Sequence, residues 1–454
     1  MRFTTILLAA AMAWSLGPAL ALAQEYAPAP MMPSGPAAAD PIDPYAAQQF
    51  AMQQEFARQQ QFALAQQQAL LAGYGEPMPS GTNPWPAEDT ACDDGSCGCC
   101  SHCCRRLDIW GSAEALLWWA KGTHAPPLVT TSPQGTPQSA AGVLPGADIL
   151  FGSTHLGDDV QLGGRLTLGV WLDEEHNVAV ASRFYGTGGD TKQFRASSDG
   201  NPILARPFYN VLLDQPDALL IAFDDPMGTD IVDGDINIKF RNQNFLAAES
   251  YLQLMMHRDQ RTRVDAVAGY QFTRLDDGLI VDTTQILRQL GNTQIDLQDR
   301  FIAHNEFHGG MIGLRGQMAR GAWAFDVLGK VGIGISRQTV NIDGSVFVNG
   351  VQQPSGGLLA LPTNIGEYDR GKFIFIPEFT ANLKYYATPN LSFHVGYSIL
   401  MWSNVVLSAD QIDLGVNPSQ FITGNLVGPA RPTFDFQDTT YWMQGINFGM
   451  NFDF

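Results

Sequence analysis

The last residues of the chain, from Asp438 to Phe454, alternate in polarity without a break and restrict the possible folds more than any other segment. One parity is mainly apolar and consists of Thr440, Trp442, Gln444, Ile446, Phe448, Met450, Phe452 and Phe454. The other parity becomes small or polar toward the end and consists of Tyr441, Met443, Gly445, Asn447, Gly449, Asn451 and Asp453. Because successive side chains of a strand point to opposite faces, the segment predicts a strand with one aromatic face and one polar face.

Two environments accommodate such a strand. The last strand of a soluble sandwich is one of them, although a soluble sheet seldom exposes so much aromatic surface at an edge. A membrane barrel is the other, since it needs apolar side chains toward lipid and polar side chains toward its lumen. A strand that ends on an aromatic residue is also similar to the C-terminal assembly signal of bacterial outer-membrane barrels.

The N-terminus favours the membrane barrel. Arg2 precedes an apolar stretch from Ile6 to Leu16, and Ala21-Leu22-Ala23 has the small residues of a cleavage site. This pattern predicts a secretory signal peptide at residues 1–23, removed before Gln24. No later apolar run reaches the roughly 18 residues of a transmembrane helix. The sequence therefore predicts an all-β protein, an antiparallel transmembrane β-barrel in the bacterial outer membrane.

The composition and charge agree with an envelope protein. Charged residues make up 16% of the chain, below the roughly 25% of ordinary globular proteins. The formal net charge is -19, whereas proteins that bind nucleic acid carry basic patches. We therefore expect acidic outer loops and no nucleic-acid partner.

Residues 24–105 are predicted to lie outside the barrel, in the periplasm, and the barrel to occupy residues 106–454. The first part of this segment is rich in Ala and Pro and is typical of a disordered linker. Residues 43–71 are rich in Gln and in helix formers, and Asp43 with Pro44 makes an N-cap and N1 pair. A solvated helical spacer and a coiled coil are both compatible with this low-complexity sequence.

All six cysteines fall in one short cluster, at Cys92, Cys97, Cys99, Cys100, Cys103 and Cys104. Export places them in an oxidising compartment, where disulfides are the default, although the sequence does not give their pairing. The two-residue spacing of Cys97, Cys100 and Cys103 leaves metal binding as an alternative. Redox or cross-linking chemistry is a third alternative. We expect disulfides, no metal and no cofactor.

Alternating segments predict ten barrel strands, at 107–120, 160–172, 176–186, 243–256, 262–275, 299–316, 321–336, 372–386, 391–405 and 438–454. The long connections are predicted at 121–159, 187–242, 276–298, 337–371 and 406–437, and tight connections alternate with them. This alternation indicates short periplasmic turns and long outer loops, with both termini in the periplasm. An additional hairpin at 218–223 and 231–240 gives the alternative of twelve strands.

The final strand's rule, apolar out and polar in, predicts the side chains that line the lumen. They are Glu114, Arg165, Arg183, Glu249, Asp265, His304, Glu306, His308, Asp326, Lys330, Glu378, Asn382 and Lys384. The same rule places Phe301 and Phe307, among others, on the lipid side. Lumen acids and bases either pair and plug a narrow barrel or set the selectivity of a pore. His304, Glu306 and His308 would then form a pH-sensitive gate or hydrogen-bonded filling.

From residue 107 to the end, a set of segments in order resembles one known family. They include GSAEALLWWAKGTHAPPLVTTSP, GGRLTLGVWLD, DRFIAHNEFHGGMIGLRG and TYWMQGINFGMNFDF. These segments are similar to the beta-barrel porin family seven (BBP7), formerly a domain of unknown function. The resemblance implies an outer-membrane barrel with porin activity, and it supplies no catalytic residues. It does not extend to the Gln-rich segment or the cysteine cluster.

The sequence thus predicts a non-enzymatic, porin-like passive channel for small solutes. The alternative is a plugged structural or adhesive barrel that displays long surface loops. The expected partners are outer-membrane lipid, small solutes if the lumen is open, and the barrel-assembly machinery through the C-terminal strand. The sequence does not indicate the oligomeric state.

Overall fold

The computed structural model describes residues 108–189, 191–225, 231–422 and 426–453. The predicted Gln-rich helix and the cysteine cluster lie outside these residues. The strands are β1 (Ile109–Ala120), β2 (Thr123–His124), β3 (Val129–Thr131), β4 (Asp148–Phe151), β5 (His155–Leu156), β6 (Val160–Trp171), β7 (Val178–Thr187), β8 (Thr191–Ser198), β9 (Leu204–Asn210), β10 (Gln215–Asp224), β11 (Ile231–Arg258), β12 (Thr262–Leu287), β13 (Thr293–Arg320), β14 (Trp323–Val348), β15 (Val351–Gln352), β16 (Gly366–Thr388), β17 (Leu391–Val405), β18 (Gly415–Val416) and β19 (Thr439–Asp453).

Helical structure in the described part of the chain is limited to short turns, at Arg288–Leu290, Ala409–Gln411 and Ser419–Ile422. Among the described residues, no helix has the length and apolar character needed to cross a membrane.

Antiparallel pairing closes the main sheet into a ring. The strands around the ring, in order, are β1, β6, β7, β11, β12, β13, β14, β16, β17 and β19, and β19 pairs with β1 to close it. Closure removes the unpaired edges that an open sheet would expose. The predicted antiparallel β-barrel is confirmed, and each strand of the ring overlaps a predicted strand.

The two ends of the ring differ in their connections. One end, called the turn end, carries short connections at 172–177, 259–261, 321–322 and 389–390. The other, called the loop end, carries the remaining, mostly longer connections. The first and last described residues both lie at the turn end, because the Trp171 amide donates to the Asp108 carbonyl and the Asp453 amide donates to the Asn390 carbonyl, at 2.9 and 3.1 Å.

Several strands are much longer than predicted. β11 and β13 have 28 residues each and β12 and β14 have 26 each, whereas a strand needs about 9–11 residues to cross a bilayer. The predicted loops at 276–298 and 337–371 are therefore wrong over most of their length. They are strand extensions because β12, β13 and β14 continue to pair with one another out to their tips.

Exposed apolar side chains form a band around the turn-end part of the ring, called the apolar band. It includes Leu162, Phe184, Leu252, Tyr270, Ile312, Leu314, Ile333, Phe375, Phe379, Phe393, Val395 and Phe448. On the final strand the predicted alternation is confirmed, since Phe448 and Met450 are exposed whereas Tyr441, Met443 and Asn447 are buried.

A row of charged side chains on the outer face follows the apolar band toward the loop end, and it is called the charged row. It consists of Arg274, Glu306, Arg337 and Asp369, on β12, β13, β14 and β16. Arg274 lies 3.5 Å from Glu306 and Arg337 lies 3.0 Å from Asp369. Because ion pairs of this kind are stable in water and costly in lipid, the row marks where the apolar surroundings of the barrel end.

Beyond the charged row the strand extensions enclose an apolar core together with a cap of short strands. The cap sheet contains β3, β4, β9, β10 and β18, and β8 pairs with the extension of β11. A bulge between Arg241 and Asn244 shifts the facing of β11 by one residue. Ile236, Ile238 and Phe240 therefore face this core.

The additional hairpin predicted at 218–223 and 231–240 forms, but its two strands have different roles. β10 pairs with the tip of β11 through Phe223 and Asp224 only, and along most of its length it pairs with β9. β10 is therefore part of the cap, and β11 alone continues into the ring.

Candidate functional site

The interior of the ring is the candidate site, and the structure places ten of the predicted lumen residues there, with side chains that are buried or, for Arg183, 12% exposed. They are Glu114, Arg165, Arg183, Glu249, Asp265, Asp326, Lys330, Glu378, Asn382 and Lys384. All ten lie between the turn end and the charged row. The strand alternation positions them, because each occupies the inward parity of a strand whose other parity carries the apolar band.

The central group of these residues, called the ionic layer, crosses the lumen. Arg183 lies 3.3 Å from Glu378 and 3.9 Å from Glu249. Lys330 contacts both acids and lies 3.0 Å from Glu378. The Tyr185 hydroxyl lies 3.0 Å from Glu249 and 2.8 Å from Glu378. β7 and β16 are opposite each other in the ring, so these contacts span its full width.

A second set of contacts extends the ionic layer around the wall. Arg165 lies 3.2 Å from Glu114 and donates to the Ser398 hydroxyl at 3.3 Å. Its guanidinium also lies over the rings of Trp118 and Tyr185, at 5.3 and 5.2 Å from their centres. Cation–π contacts of this kind are strongest where water is excluded. The layer thus combines ion pairing with aromatic packing.

The remaining space inside the ionic layer is small. A cavity of about 10 Å³ lies between Arg183, Glu249 and Lys330 and their neighbours. Such a volume holds about one water molecule. The ionic layer therefore fills its cross-section of the barrel.

Toward the turn end, polar side chains line a larger space. Asp326 accepts hydrogen bonds from Arg315 at 2.9 Å and from Lys384 at 3.3 Å. Asn447 donates to Asn382 at 2.8 Å across two strands. This space, called the chamber, has a volume of about 150 Å³.

Toward the loop end, the ionic layer is followed by apolar side chains, called the apolar plug. Its inward-facing members next to the ionic layer are Leu116, Trp118, Phe245, Leu275, Phe307, Ile376, Leu400, Trp402, Tyr441 and Met443, all at most 2% exposed. Farther out, Leu358, Leu359, Leu361, Val406 and Val416 from the long connections pack against Phe301, Val340 and Ile342. Loop residues and strand residues together exclude water from the loop-end part of the lumen.

Three polar side chains on the inner faces of β12 and β13 hold the loops of the apolar plug, and they are called the latches. Asp299 accepts from the amides of Leu359 and Ala360, at 2.9 and 2.8 Å, and from the buried Arg206 at 2.6 Å. Asn305 exchanges two hydrogen bonds with the backbone of Val406, at 2.8 and 2.9 Å.

Asp277 is the third latch, and it lies beyond the charged row. It accepts from the Ser408 amide at 3.1 Å and from the Ser408 hydroxyl at 2.9 Å. Burial raises the pKa of the Asp277 carboxyl to about 7. The latches satisfy backbone groups that would otherwise be orphaned inside an apolar core.

The prediction that His304, Glu306 and His308 line the lumen is wrong, and so is the lipid-facing assignment of Phe301 and Phe307. The structure places the first three on the outer face, where His304 contacts Asp276 at 2.7 Å and His308 contacts Tyr270 at 2.6 Å. Phe301 and Phe307 point inward and are fully buried. The reason is that β13 passes beyond the apolar band at Glu306, where the outside is water and the inside is a dry core. His308 lies on the band side of Glu306 and contacts Tyr270 on the outer face.

Several residues of the site were not predicted. Tyr185 follows Arg183 at strand spacing, so the same alternation could have identified it. Arg315 also faces inward on β13. The prediction missed it because the predicted facing of that strand was shifted by one residue. Asp277 and Asp299 fell in or next to a segment predicted as a loop, and no local signal distinguishes a buried latch from a solvated loop carboxylate.

No group of three or more His, Cys, Asp or Glu side chains is arranged to hold a metal ion within residues 108–453 as far as they are described. The predicted disulfide cluster, Cys92 to Cys104, lies outside the described residues.

Comparisons with known proteins cover the whole of this barrel. The family model described as "Putative beta barrel porin-7 (BBP7)" matches residues 110–454. The outer membrane protease OmpT from Escherichia coli is similar at 10% identity and TM-score 0.37, over 76% of this chain and 97% of that chain. A FadL homologue from Pseudomonas aeruginosa is similar at 8% identity and TM-score 0.24, over 77% and 90%. An anion-selective porin from Comamonas acidovorans is similar at 8% identity and TM-score 0.14, over 77% and 99%. No curated protein matches the sequence significantly.

Proposed function

Since the chain belongs to the beta-barrel porin-7 family of outer-membrane barrels, we propose that it is a plugged, non-enzymatic barrel that anchors its cap at the bacterial surface. In this conformation the lumen passes no solute. The barrel fixes the position of the cap, and the strand extensions hold the cap away from the membrane.

One observation carries the proposal: inward-facing side chains are buried at successive levels of the lumen. In an open pore such side chains would contact water, and here Trp118 and Trp402 are 0% exposed and Lys330 is 6% exposed. Polar side chains fill the level of the ionic layer, and apolar side chains fill the levels toward the loop end. A narrow barrel can be filled by its own side chains in this way.

The proposed orientation places the turn end in the periplasm and the loop end outside the cell. Short periplasmic turns and long outer loops are the usual arrangement of outer-membrane barrels. Both ends of the described chain would then lie on the periplasmic side. The apolar band would contact lipid, and the charged row would lie at the outer surface of the membrane.

We expect the barrel-assembly machinery to recognise β19. This strand presents Ile446, Phe448 and Met450 on the lipid side, and its pairing with β1 is the step that closes the ring.

A passive channel for small solutes is the second candidate, and the nature of the apolar plug favours it. The outer part of the plug consists of loop segments that are attached through the side-chain latches instead of through continuous strand pairing. If these segments moved outward and the contacts across the ionic layer separated, the acids and bases of that layer would line the passage and set its selectivity.

Liposome swelling with glucose distinguishes the two candidates. We expect the full chain to leave the vesicles impermeable. Asp299→Ala combined with Asn305→Ala should also remain impermeable in the plugged barrel, because the ionic layer still fills the lumen, whereas the channel predicts an increased swelling rate. Thr339→Ala, which removes a hydroxyl from the outer face, is the control and should remain silent. Rapid swelling with the unaltered protein would contradict the plugged barrel and establish the channel.

A further inference from the structure

Two histidines face each other at the loop end, at the base of the connection between β1 and β6. β2 pairs with β5 in antiparallel fashion, and this pairing places His124 directly opposite His155. The Ala125 amide donates to the Thr154 carbonyl at 3.1 Å. The adjacent histidine pair therefore occupies a non-hydrogen-bonded position, where opposite side chains of two strands are closest. Both side chains are exposed and project from the same face of this two-stranded sheet.

The ring nitrogens of this pair have no hydrogen-bond partner among the described residues, and in this they differ from the other described histidines. The centres of the two rings lie 5.5 Å apart. Polar partners exist for the other described histidines, and they are His176 with Asp108, His257 with Asp259, His304 with Asp276, His308 with Tyr270 and His394 with Asn451. The nitrogens of His124 and His155 are therefore accessible to a ligand from the surrounding water.

The separation of the two rings fits a shared zinc ion. Imidazole nitrogen is a favourable ligand for zinc, and it lies about 2.0–2.1 Å from the metal. Two imidazole rings that share one tetrahedral zinc ion therefore have their centres about 5 Å apart. The 5.5 Å between the rings of His124 and His155 is close to this value. Rotation of two exposed side chains would close the difference.

Gly122 and Asp158 provide space and a third ligand beside the pair. A Cβ at Gly122 would lie 3.2 Å from the His155 Cβ and 3.3 Å from the Asp158 Cβ, so the glycine leaves room between these two side chains. The Asp158 side chain is 57% exposed and lies 3.9 Å from Lys192, which makes a closer contact with Asp159. Asp158 can therefore turn toward the histidines without leaving Lys192 unpaired.

We propose that His124 and His155 bind a zinc ion, with Asp158 as the third ligand and water in the fourth position. The metal joins the two ends of residues 125–154, which contain β3 and β4 of the cap sheet. Because a cross-link across a long loop removes much of its conformational freedom, zinc stabilises the cap where it meets the barrel wall. Zinc binding at this pair does not depend on whether the lumen is open.

Isothermal titration of the full chain with zinc chloride, in detergent micelles at neutral pH, tests the site. The cysteines are first reduced and alkylated with iodoacetamide, so that the cluster from Cys92 to Cys104 does not bind the metal. We expect one tight zinc site per chain. His124→Ala and His155→Ala should each weaken it by at least about tenfold, since even the loss of an outer-shell partner of a metal site has an effect of this size.

His257→Ala is the matched control, because it removes an exposed histidine at the turn end, where His257 lies 3.7 Å from Asp259. Its zinc affinity should equal that of the unaltered protein. Calcium prefers oxygen ligands and should not displace the zinc. The altered mobility of the unheated barrel in gel electrophoresis confirms folding for every variant.

Proteolysis provides a second measurement, of the cross-link itself. Zinc should slow cleavage within residues 125–154 of the unaltered protein and should have no such effect on His124→Ala. Absence of saturable zinc binding by the folded protein would overturn the proposal. Unchanged affinity in both His124→Ala and His155→Ala, or an equal loss in His257→Ala, would overturn it as well.

Discussion

Lys330→Met is the substitution that most directly tests the role of the ionic layer. Lys330 contacts both Glu249 and Glu378 in this layer, and its side chain is only 1% exposed. No other described cation combines these two features. Methionine has a similar length and no charge. The variant therefore leaves two buried carboxylates that share one cation, Arg183, and the Tyr185 hydroxyl.

The expected loss of stability is large because the charges left behind are buried. Removal of one partner from a buried ion pair costs about 3–5 kcal/mol, since the remaining charge is neither solvated nor paired. We expect Lys330→Met to lower the free energy of unfolding by about 4 kcal/mol. Combining it with Glu249→Gln removes one of the stranded charges and should restore a large part of this loss.

Urea titration of the barrel in lipid vesicles, followed by tryptophan fluorescence, measures these differences. Arg337→Met is the control, because Arg337 pairs with Asp369 at 3.0 Å on the outer face with a 65% exposed side chain. Exposed pairs contribute about 0–1 kcal/mol. Equal losses for Lys330→Met and Arg337→Met, or no recovery in the combined variant, would refute the account of the ionic layer as a dry, charge-balanced filling.

Three further predictions concern the latches, the packing and the lipid face. Burial raises the pKa of Asp277 to about 7. Its stabilising contribution is therefore present below the unfolded pKa near 3.8 and is lost as the pH rises through about 7. Proteolysis of the loop end should be faster at pH 8 than at pH 5, and Asp277→Asn should abolish this dependence. Gly396→Val should lower the free energy of unfolding by about 1–3 kcal/mol in urea titration, because a Cβ at this position would lie 1.8 Å from the Asn382 amide oxygen. Gly329→Ala is the control and should be tolerated, since the nearest atom to a Cβ there is 4.0 Å away. Leu314→Arg should cost about 2–4 kcal/mol of stability in vesicles, because Leu314 is 58% exposed within the apolar band.

The order of the ring strands was predictable from the sequence because alternation and turn residues are local signals. The final strand shows this most clearly. Its successive residues alternate between two environments, lipid and lumen, so one rule gives the facing of every side chain from Tyr441 to Asp453. The same rule places Glu249, Lys330 and Glu378 inside, because their strands cross the apolar band at those positions.

The rule fails on β13 for a physical reason. Beyond the apolar band the outer face meets water and the inner face meets a packed core, so the polarity of the two faces is exchanged. His304 and Glu306 are polar because they lie outside in water, and Phe301 and Phe307 are apolar because they lie inside. A sequence pattern cannot show where this exchange begins, since the strand alternates on both sides of it.

The sequence also could not predict whether the lumen is filled or open. Acids and bases at inward positions are compatible with an open pore and with a plugged barrel, and both alternatives followed from the same residues. The decision depends on contacts across the ring, such as Arg183 with Glu378, and on loop residues such as Leu359 that return to the interior. These are long-range contacts that no local pattern encodes.

Single-channel recording of the full chain in a planar bilayer tests the central claim, a closed lumen, most directly. Folding of the inserted protein is confirmed beforehand by the altered mobility of the unheated barrel in gel electrophoresis. The account predicts no stepwise current at moderate voltage in the unaltered protein. Regular stepwise openings whose ion preference changes on charge reversal at Glu249 or Glu378 would contradict the plugged barrel and would show that the ionic layer lines an open pore.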